Sequence, residues 1–262
     1  MSMSELHKPE WYGECAIISD KYNDYVQIKY KCNGTGTLYD YSLFPGINLI
    51  FMDFNCSDIF YEPIPNKNII EIRHYQKGRV EFELRNNKVF HMKEGELCIN
   101  ALANVPAAYS FPFGYSVGLS CVIDKDSIDA KTKQIFSYYN IDVLNLGQEL
   151  EIEKKWFLCR TPQRLLHIFD ELYAAKGVEG KDYFRIKLLE LFYHIKQLRI
   201  EDQYEATYYS KKQIEIIKRI RHQLIENLDK KLSIEELLRK EPMSKATFQA
   251  IFKQIYGDTP YA

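Results

Sequence analysis

Hydrophobic and polar positions alternate strictly along much of the first half of the chain. Val26, Ile28 and Tyr30 fall on one side of an extended segment, and Ile70, Ile72 and His74 on one side of another. Val80, Phe82 and Leu84 make a third apolar row, with Glu81, Glu83 and Arg85 facing the other way, and Tyr115, Val117, Leu119, Cys121 and Ile123 a fourth. A period of two is the signature of half-buried strands. Turn-forming residues separate the segments: Asn33-Gly34, Pro45-Gly46, Cys56-Ser57-Asp58, Pro65-Asn66, Gly78, Asn86-Asn87 and Gly95, at intervals of 8 to 12 residues. That spacing predicts an antiparallel sandwich or barrel over residues 1–124. Asn86-Asn87 accepts the positive φ of a tight turn, so the Val80 and Val89 strands are expected to pair as a hairpin.

After Asp124 the period becomes helical. Thr161-Pro162 opens a helix with the stripe Leu165, Leu166, Ile168, Phe169, Leu172 and Tyr173. Gly177 and Gly180 interrupt it, and a second helix from about Asp182 carries Phe184, Leu188, Leu191, Phe192, Ile195 and Leu198. This stripe, within a helical segment spanning 125–200, either packs on the barrel and its neighbouring helix or forms a homodimer interface. Residues 201–210 are polar and Tyr-rich, a linker. From Lys211 a third helix places Ile214, Ile217, Leu224 and Leu228 on one face and Lys218, Arg219 and Arg221 on the other.

The last fifty residues are the most structured in pattern. Ser233-Ile234-Glu235-Glu236 is a capping box opening a short helix with Ile234, Leu237 and Leu238 inward, and Pro242 forbids its continuation. Ser244 caps a second helix that runs to Gly257, with Phe248, Ile251, Phe252 and Ile255 inside and Lys245, Ala246, Gln249, Ala250 and Lys253 outside. Two short capped helices across a tight turn predict a helix-turn-helix. The fold class is therefore α+β: a barrel over 1–124, helices over 125–200 and a helix-turn-helix over 211–262.

Composition narrows the class. With 46% hydrophobic and 27% charged residues in 262, the chain is neither disordered, collagen-like nor a coiled-coil rod. The net charge of −1 gives no global sign of nucleic acid. Its distribution does: residues 210–262 hold eleven Lys/Arg against seven Asp/Glu, a local +4 beside −5 on the rest. The polar first ten residues lack a secretory core, and the uncharged stretch 99–123 is broken by Asn100, Asn104, Pro106, Pro112, Gly114 and Gly118, so a cytoplasmic protein without a membrane span is expected. Six cysteines, Cys15, Cys32, Cys56, Cys98, Cys121 and Cys159, stand far apart without a C-x-x-C pair, which favours reduced thiols over a disulfide framework or a zinc site.

A barrel of this kind can enclose a ligand, and the expected pocket residues are the presumed inward His74, Phe82 and Tyr115. His74 has the alternative of a satisfied core histidine. His74, His91, Glu81 and Glu83 are the candidate metal ligands, but no His-x-His pair exists and Glu81 and Glu83 lie opposite Phe82, so no metal or other cofactor is expected. No nucleophile–base pattern is present, so an enzyme is not expected. In the helix-turn-helix, Gln249 suits a bidentate contact to adenine, Ala246 and Ala250 suit thymine methyls, and Lys245 and Lys253 suit phosphates. An ordinary helical hairpin with a solvated charged face is the competing reading of the spacing.

Leu232-Ser233-Ile234-Glu235-Glu236-Leu237, Met243-Ser244 and Phe252-Lys253-x-x-x-Gly257-x-x-Pro260 resemble the first helix-turn-helix of the AraC/XylS family of bacterial transcription regulators. Phe44-Pro45-Gly46, Glu71-Ile72-x-His74, Gly78-Arg79-x-Glu81 and Glu94-Gly95 are similar to that family's cupin-like sensor domain. The resemblance implies a sensor barrel binding a small-molecule effector, a helical dimerisation segment and a DNA-binding domain of two helix-turn-helix units, with Ala246, Gln249, Ala250 and Lys253 at recognition positions. Leu238 departs from the family's small residue, Pro242 from its turn glycine, and the alanines of the outer face from its usual Arg or aromatic. Ala262 falls where the family's connecting helix would begin. A fragment, or a short form acting through dimerisation, is then expected, with weak promoter binding without the second unit. The alternatives from other classes are a cupin-fold metal enzyme and an interaction protein that makes no DNA contact.

Overall fold

The computed structural model describes residues 12–61, 68–101, 106–227 and 232–260; the Pro65-Asn66 turn lies outside them. Strands β1 (Ala16–Lys21), β2 (Val26–Tyr30), β3 (Gly34–Phe44) and β4 (Ile47–Cys56) are successive antiparallel neighbours. The turns between the last three fall at Asn33-Gly34 and Pro45-Gly46, where Gly46 has φ +77°. Then come β5 (Phe60–Tyr61), β6 (Ile69–Glu83), β7 (Lys88–Lys93), β8 (Glu96–Ala101), β9 (Ala108–Ser110) and β10 (Tyr115–Asp124). Later segments add β11 (Phe157–Arg160) and β12 (Tyr209–Ser210).

The strands form two antiparallel sheets that share β6. The larger has the order β1-β2-β3-β4-β10-β6-β8-β11, and the smaller β5-β9-β6-β7-β12. The hairpin expected at Asn86-Asn87 is present: Asn87 adopts φ +61°, and β6 and β7 pair with Glu81 opposite His91 and Glu83 opposite Val89.

Gly78 is not a turn between strands. It sits inside β6 at φ +83°, beside a register irregularity in the β6–β10 pairing, and a Cβ there would lie 2.4 Å from the Tyr115 carbonyl oxygen. Residues before it pair with β8 and β10, and residues after it with β7 and β9. This is what a β-bulge does: it bends one strand and hands it from one sheet to the next. The parity of the side chains changes across it. Ile70, Ile72 and His74 face the helices, whereas Val80 and Phe82 face the interior between the sheets.

That interior is aromatic. Phe54, Phe60, Phe82, Phe90, Phe111 and Trp156 are buried together and in ring contact. Arg73, paired with Glu71 at 2.6 Å, lays its guanidinium 5.0 Å from the Phe82 ring centre. The other face of the large sheet is covered by α1 (Ala130–Tyr138), α2 (Gln163–Ala175) and α3 (Lys181–Ile195). The apolar stripe of α3 and the turn after it, from Phe184 to Leu198, is buried within the chain itself, Phe184 against Tyr41 and Phe51. Of the two roles open to this stripe, packing inside the chain is the one observed. Residues 201–210 are tied down: the Tyr204 amide donates to the Leu158 carbonyl, and Tyr209–Ser210 joins β7 as β12. Among the described residues no helix is long and apolar enough to cross a membrane.

Replacing Gly78 with Ala should cost roughly 2–3 kcal/mol, combining positive-φ strain with the clash at Tyr115. The measurement is urea denaturation, and a loss under about 0.5 kcal/mol would refute the bulge's role.

Candidate functional site

Helix α4 (Lys211–Glu226) begins at the capping box of Ser210 and Gln213, next to β12. Its buried residues Ile214, Ile217 and Ile220 pack with Ile234 and Leu238 of α5 (Ile234–Leu238) and with Phe248, Ile251, Phe252 and Ile255 of α6 (Lys245–Tyr256). The caps are those the pattern implied. Ser233 accepts from the Glu236 amide at 3.2 Å, Ser244 accepts from the Thr247 amide at 3.1 Å, and Gly257 closes α6 at φ +86°. The helix α5 stops at Leu238, four residues short of Pro242, because the chain already turns through Glu241 and Met243.

All five outward residues of α6, Lys245, Ala246, Gln249, Ala250 and Lys253, are exposed. Lys245 pairs with Glu235 of α5, and Arg219 of α4 pairs with Glu241 at 2.6 Å. Part of the basic surplus is thus neutralised within the domain.

The helical unit is seated on the smaller sheet through charged groups. Arg79, the residue after the bulge, donates from Nη1 to the Gln254 and Ile255 carbonyls, the latter at 2.5 Å. It thereby meets carbonyls at the end of α6, where the helix dipole favours a cation. Tyr256 lies between Phe113 of the sheet side and Arg221 of α4, with centroid distances of 6.3 and 4.6 Å. Lys218 reaches Glu81 at 2.6 Å, and Lys211 reaches Glu83 at 2.7 Å. Glu81 also accepts from His91 Nε2 at 3.0 Å.

Burial alone would raise the Glu81 carboxyl, but the His91 hydrogen bond and the Lys218 charge outweigh it and hold the group down at about 2. His91 is shifted downward, foremost by its own burial. Its Nδ1 is buried without a hydrogen-bond partner, which fits a neutral ring that donates from Nε2.

A pocket of about 130 Å³ opens at this seam, lined on one side by Tyr61, Glu81, Tyr109 and Ser110 and on the other by Lys211, Ile214 and Lys218. The expected effector residues are not brought together here or elsewhere. His74 is buried in the helix-covered core, its ring stacked on Phe169 at 4.2 Å and its Nδ1 3.1 Å from the Tyr173 hydroxyl, and burial lowers it to about 4. Phe82 is packed in the aromatic interior, and Tyr115 is 45% exposed beside Phe113. The reason is the bulge, across which β6 turns His74 toward the helices and Phe82 into the interior between the sheets.

The metal candidates Glu81, Glu83 and His91 do converge on one face, but as partners of Lys211 and Lys218, whose ammonium groups supply the positive charge. The seam residues had one usable signal in the sequence: a hairpin centred on Asn86-Asn87 puts Glu81 opposite His91. Arg79 and Lys218 had none, since their partners lie 137 or more residues away.

No family model matches this chain, and no curated protein sequence does. Solved structures with a loosely similar course include regulators of the AraC type. The AraC-like transcriptional activator CuxR is 10% identical, with 87% of this chain and 78% of that one covered and a TM-score of 0.39. Apo ToxT K231A from Vibrio cholerae strain SCE256 is 10% identical over 80% and 75% of the two chains, at 0.38. Unsaturated fatty acid-bound wild-type ToxT from the same strain is 11% identical over 82% and 93%, at 0.36. With TM-scores under 0.5 these are loose likenesses of shape.

Both titrating groups of the seam bind more protons when unfolded, Glu81 below about pH 4.3 and His91 below about pH 6.5. The stability they contribute is complete above about pH 6.5 and is lost as the pH falls toward 2. Urea midpoints measured from pH 7 to pH 3 should therefore fall for the parent chain. Glu81→Gln should start lower at pH 7 and change less; parallel curves would contradict the assignment.

Proposed function

We propose that this chain is a ligand-responsive, sequence-specific DNA-binding transcription regulator. Residues 1–124 are its sensor, 125–200 its helical segment and 211–262 its DNA-binding unit, acting in the cytoplasm on promoter DNA. The observation that carries this reading is the division of α6 into two faces. Phe248, Ile251, Phe252 and Ile255 are buried, while Lys245, Ala246, Gln249, Ala250 and Lys253 stay exposed on a twelve-residue rod capped at both ends. Such a rod fits a major groove with its N-terminal half near base edges, and its outer side chains are the size and polarity for that contact.

The barrel seats this rod through its far end. Arg79 and Tyr256 hold the C-terminal turn, while the outward residues of α6 stay exposed. The pocket beneath α4 is the better effector seat than the aromatic-filled interior. At about 130 Å³ it is smaller than sites for drug-sized ligands, and it pairs Tyr61, Tyr109 and Ile214 with Lys211 and Lys218. A small amphiphile there competes with Glu81 and Glu83 for the two lysines and so biases how the helical unit is held. By linkage, DNA bound to α6 shifts the affinity for that molecule by the same factor.

One helix-turn-helix reaches few phosphates, so binding is weak and salt-sensitive. Fluorescence anisotropy with labelled duplexes, including the best sequence from a random-library selection, should show affinity falling steeply with salt. Lys253→Ala should lower the salt slope by about one, and Gln249→Ala should reduce discrimination among sequences by roughly 1–3 kcal/mol. Binding without a salt slope, or binding indifferent to both substitutions, would overturn the proposal.

A further inference from the structure

Where the β2–β3 turn meets the end of β4, two cysteines and an aspartate come together. Cys32 lies in the β2–β3 turn, Cys56 ends β4 and Asp58 follows it, and their ligand atoms all lie within 4.8 Å of one another. The chain is shaped to allow it. Gly34 takes φ +138° and pairs with Cys56, and a Cβ at Gly34 would stand 2.1 Å from the Asn55 carbonyl oxygen, so only glycine lets the turn come this close. Cys56 is buried, while Cys32 and Asp58 are half-buried.

We propose that Cys32, Cys56 and Asp58 bind a thiophilic divalent cation, zinc by preference, which clips the β2–β3 turn to the end of β4. Two sulfurs and a carboxylate oxygen are a borderline-soft set, unsuited to magnesium or calcium and suited to zinc. Tetrahedral bonds of about 2.3 Å to sulfur and 2.0–2.2 Å to oxygen put the donors within about 4 Å of one another, which side-chain rotation reaches from the observed spacing. Water completes the shell on the exposed side.

Two further contacts have the form of metal-site supports. The Asp58 amide donates to Cys56 sulfur, which favours a thiolate, and Asp58 Oδ2 accepts from the Asn33 amide at 2.8 Å, which orients the carboxylate.

The other cluster of ligand-type side chains, His167, Glu171 and Glu190, already has a resident cation. Lys187 pairs with both glutamates, at 2.8 Å to Glu190. Among the described residues no lysine or arginine ion pair occupies the cysteine cluster. Its two cysteines are 24 residues apart in sequence, which is why cysteine spacing predicts no zinc site.

The test uses the full chain, metal-stripped and kept reduced. Titration with Co²⁺ should bring up sulfur-to-cobalt charge-transfer absorption that saturates at one equivalent and is bleached by Zn²⁺. Cys32→Ser, at a half-buried position, should weaken binding at least about 100-fold, and Asp58→Asn about 10-fold. Zn²⁺ should also protect Cys32 from alkylation, read by peptide mass spectrometry, while the exposed Cys15 reacts equally with and without it. Absence of the charge-transfer band at one equivalent, its persistence in Cys32→Ser, or alkylation of Cys32 unchanged by Zn²⁺ would each overturn the proposal.

Discussion

A single strand serves two sheets, and the rest of the molecule is arranged around the kink that permits it. Residues on one side of Gly78 in β6 pair with β8 and β10, and those on the other pair with β7 and β9. The positive φ of that glycine lets the backbone pass within touching distance of the Tyr115 carbonyl, which a side chain would prevent. Because the kink shifts parity by one, the strand contributes Ile70 and Ile72 to the helix-covered core and Val80 and Phe82 to the aromatic core between the sheets. It also aims Arg79 at the end of α6.

The seam that follows from this geometry is ionic where most of the molecule is apolar. Glu81 is nearly buried and holds both His91 and Lys218. Burying such groups costs desolvation, which their attraction outweighs once they are paired, so the network sets position as well as adding stability. An apolar seam of the same area would let α4 slide; paired charges and the Arg79 bonds to two carbonyls specify one seating. The same charges line a small pocket.

Two scales of organisation therefore meet at α4. Its N-terminus is pinned by the Ser210 capping box beside β12, its inner face completes the core of the helical unit, and its Lys218 reaches back to the sheet. The helical unit is thus joined to the sheets both through α4 and through the contacts of Arg79 and Phe113 with α6. The candidate metal clip at Cys32 and Cys56 would tie the β2–β3 turn to the end of β4, just before Ile59 and Tyr61, which line the pocket.

The sequence by itself determined the local elements. Alternation marked the strands, Asn86-Asn87 the hairpin, and Ser233 with Glu236 and Ser244 with Gly257 the caps of the two terminal helices, because each depends on residues a few positions apart. The outward face of α6 was legible for the same reason, as periodicity alone separates Gln249 from Phe248. Only the tertiary structure decided which face of a strand meets which core, since one bulge at Gln76, two residues before a glycine that also resembles a turn residue, reverses the parity and parts His74 from Phe82. It likewise decided that Glu81 answers Lys218, that Arg79 caps α6 and that Cys32 meets Cys56. Those pairings join distant parts of the chain through folding, and no local period or spacing encodes them.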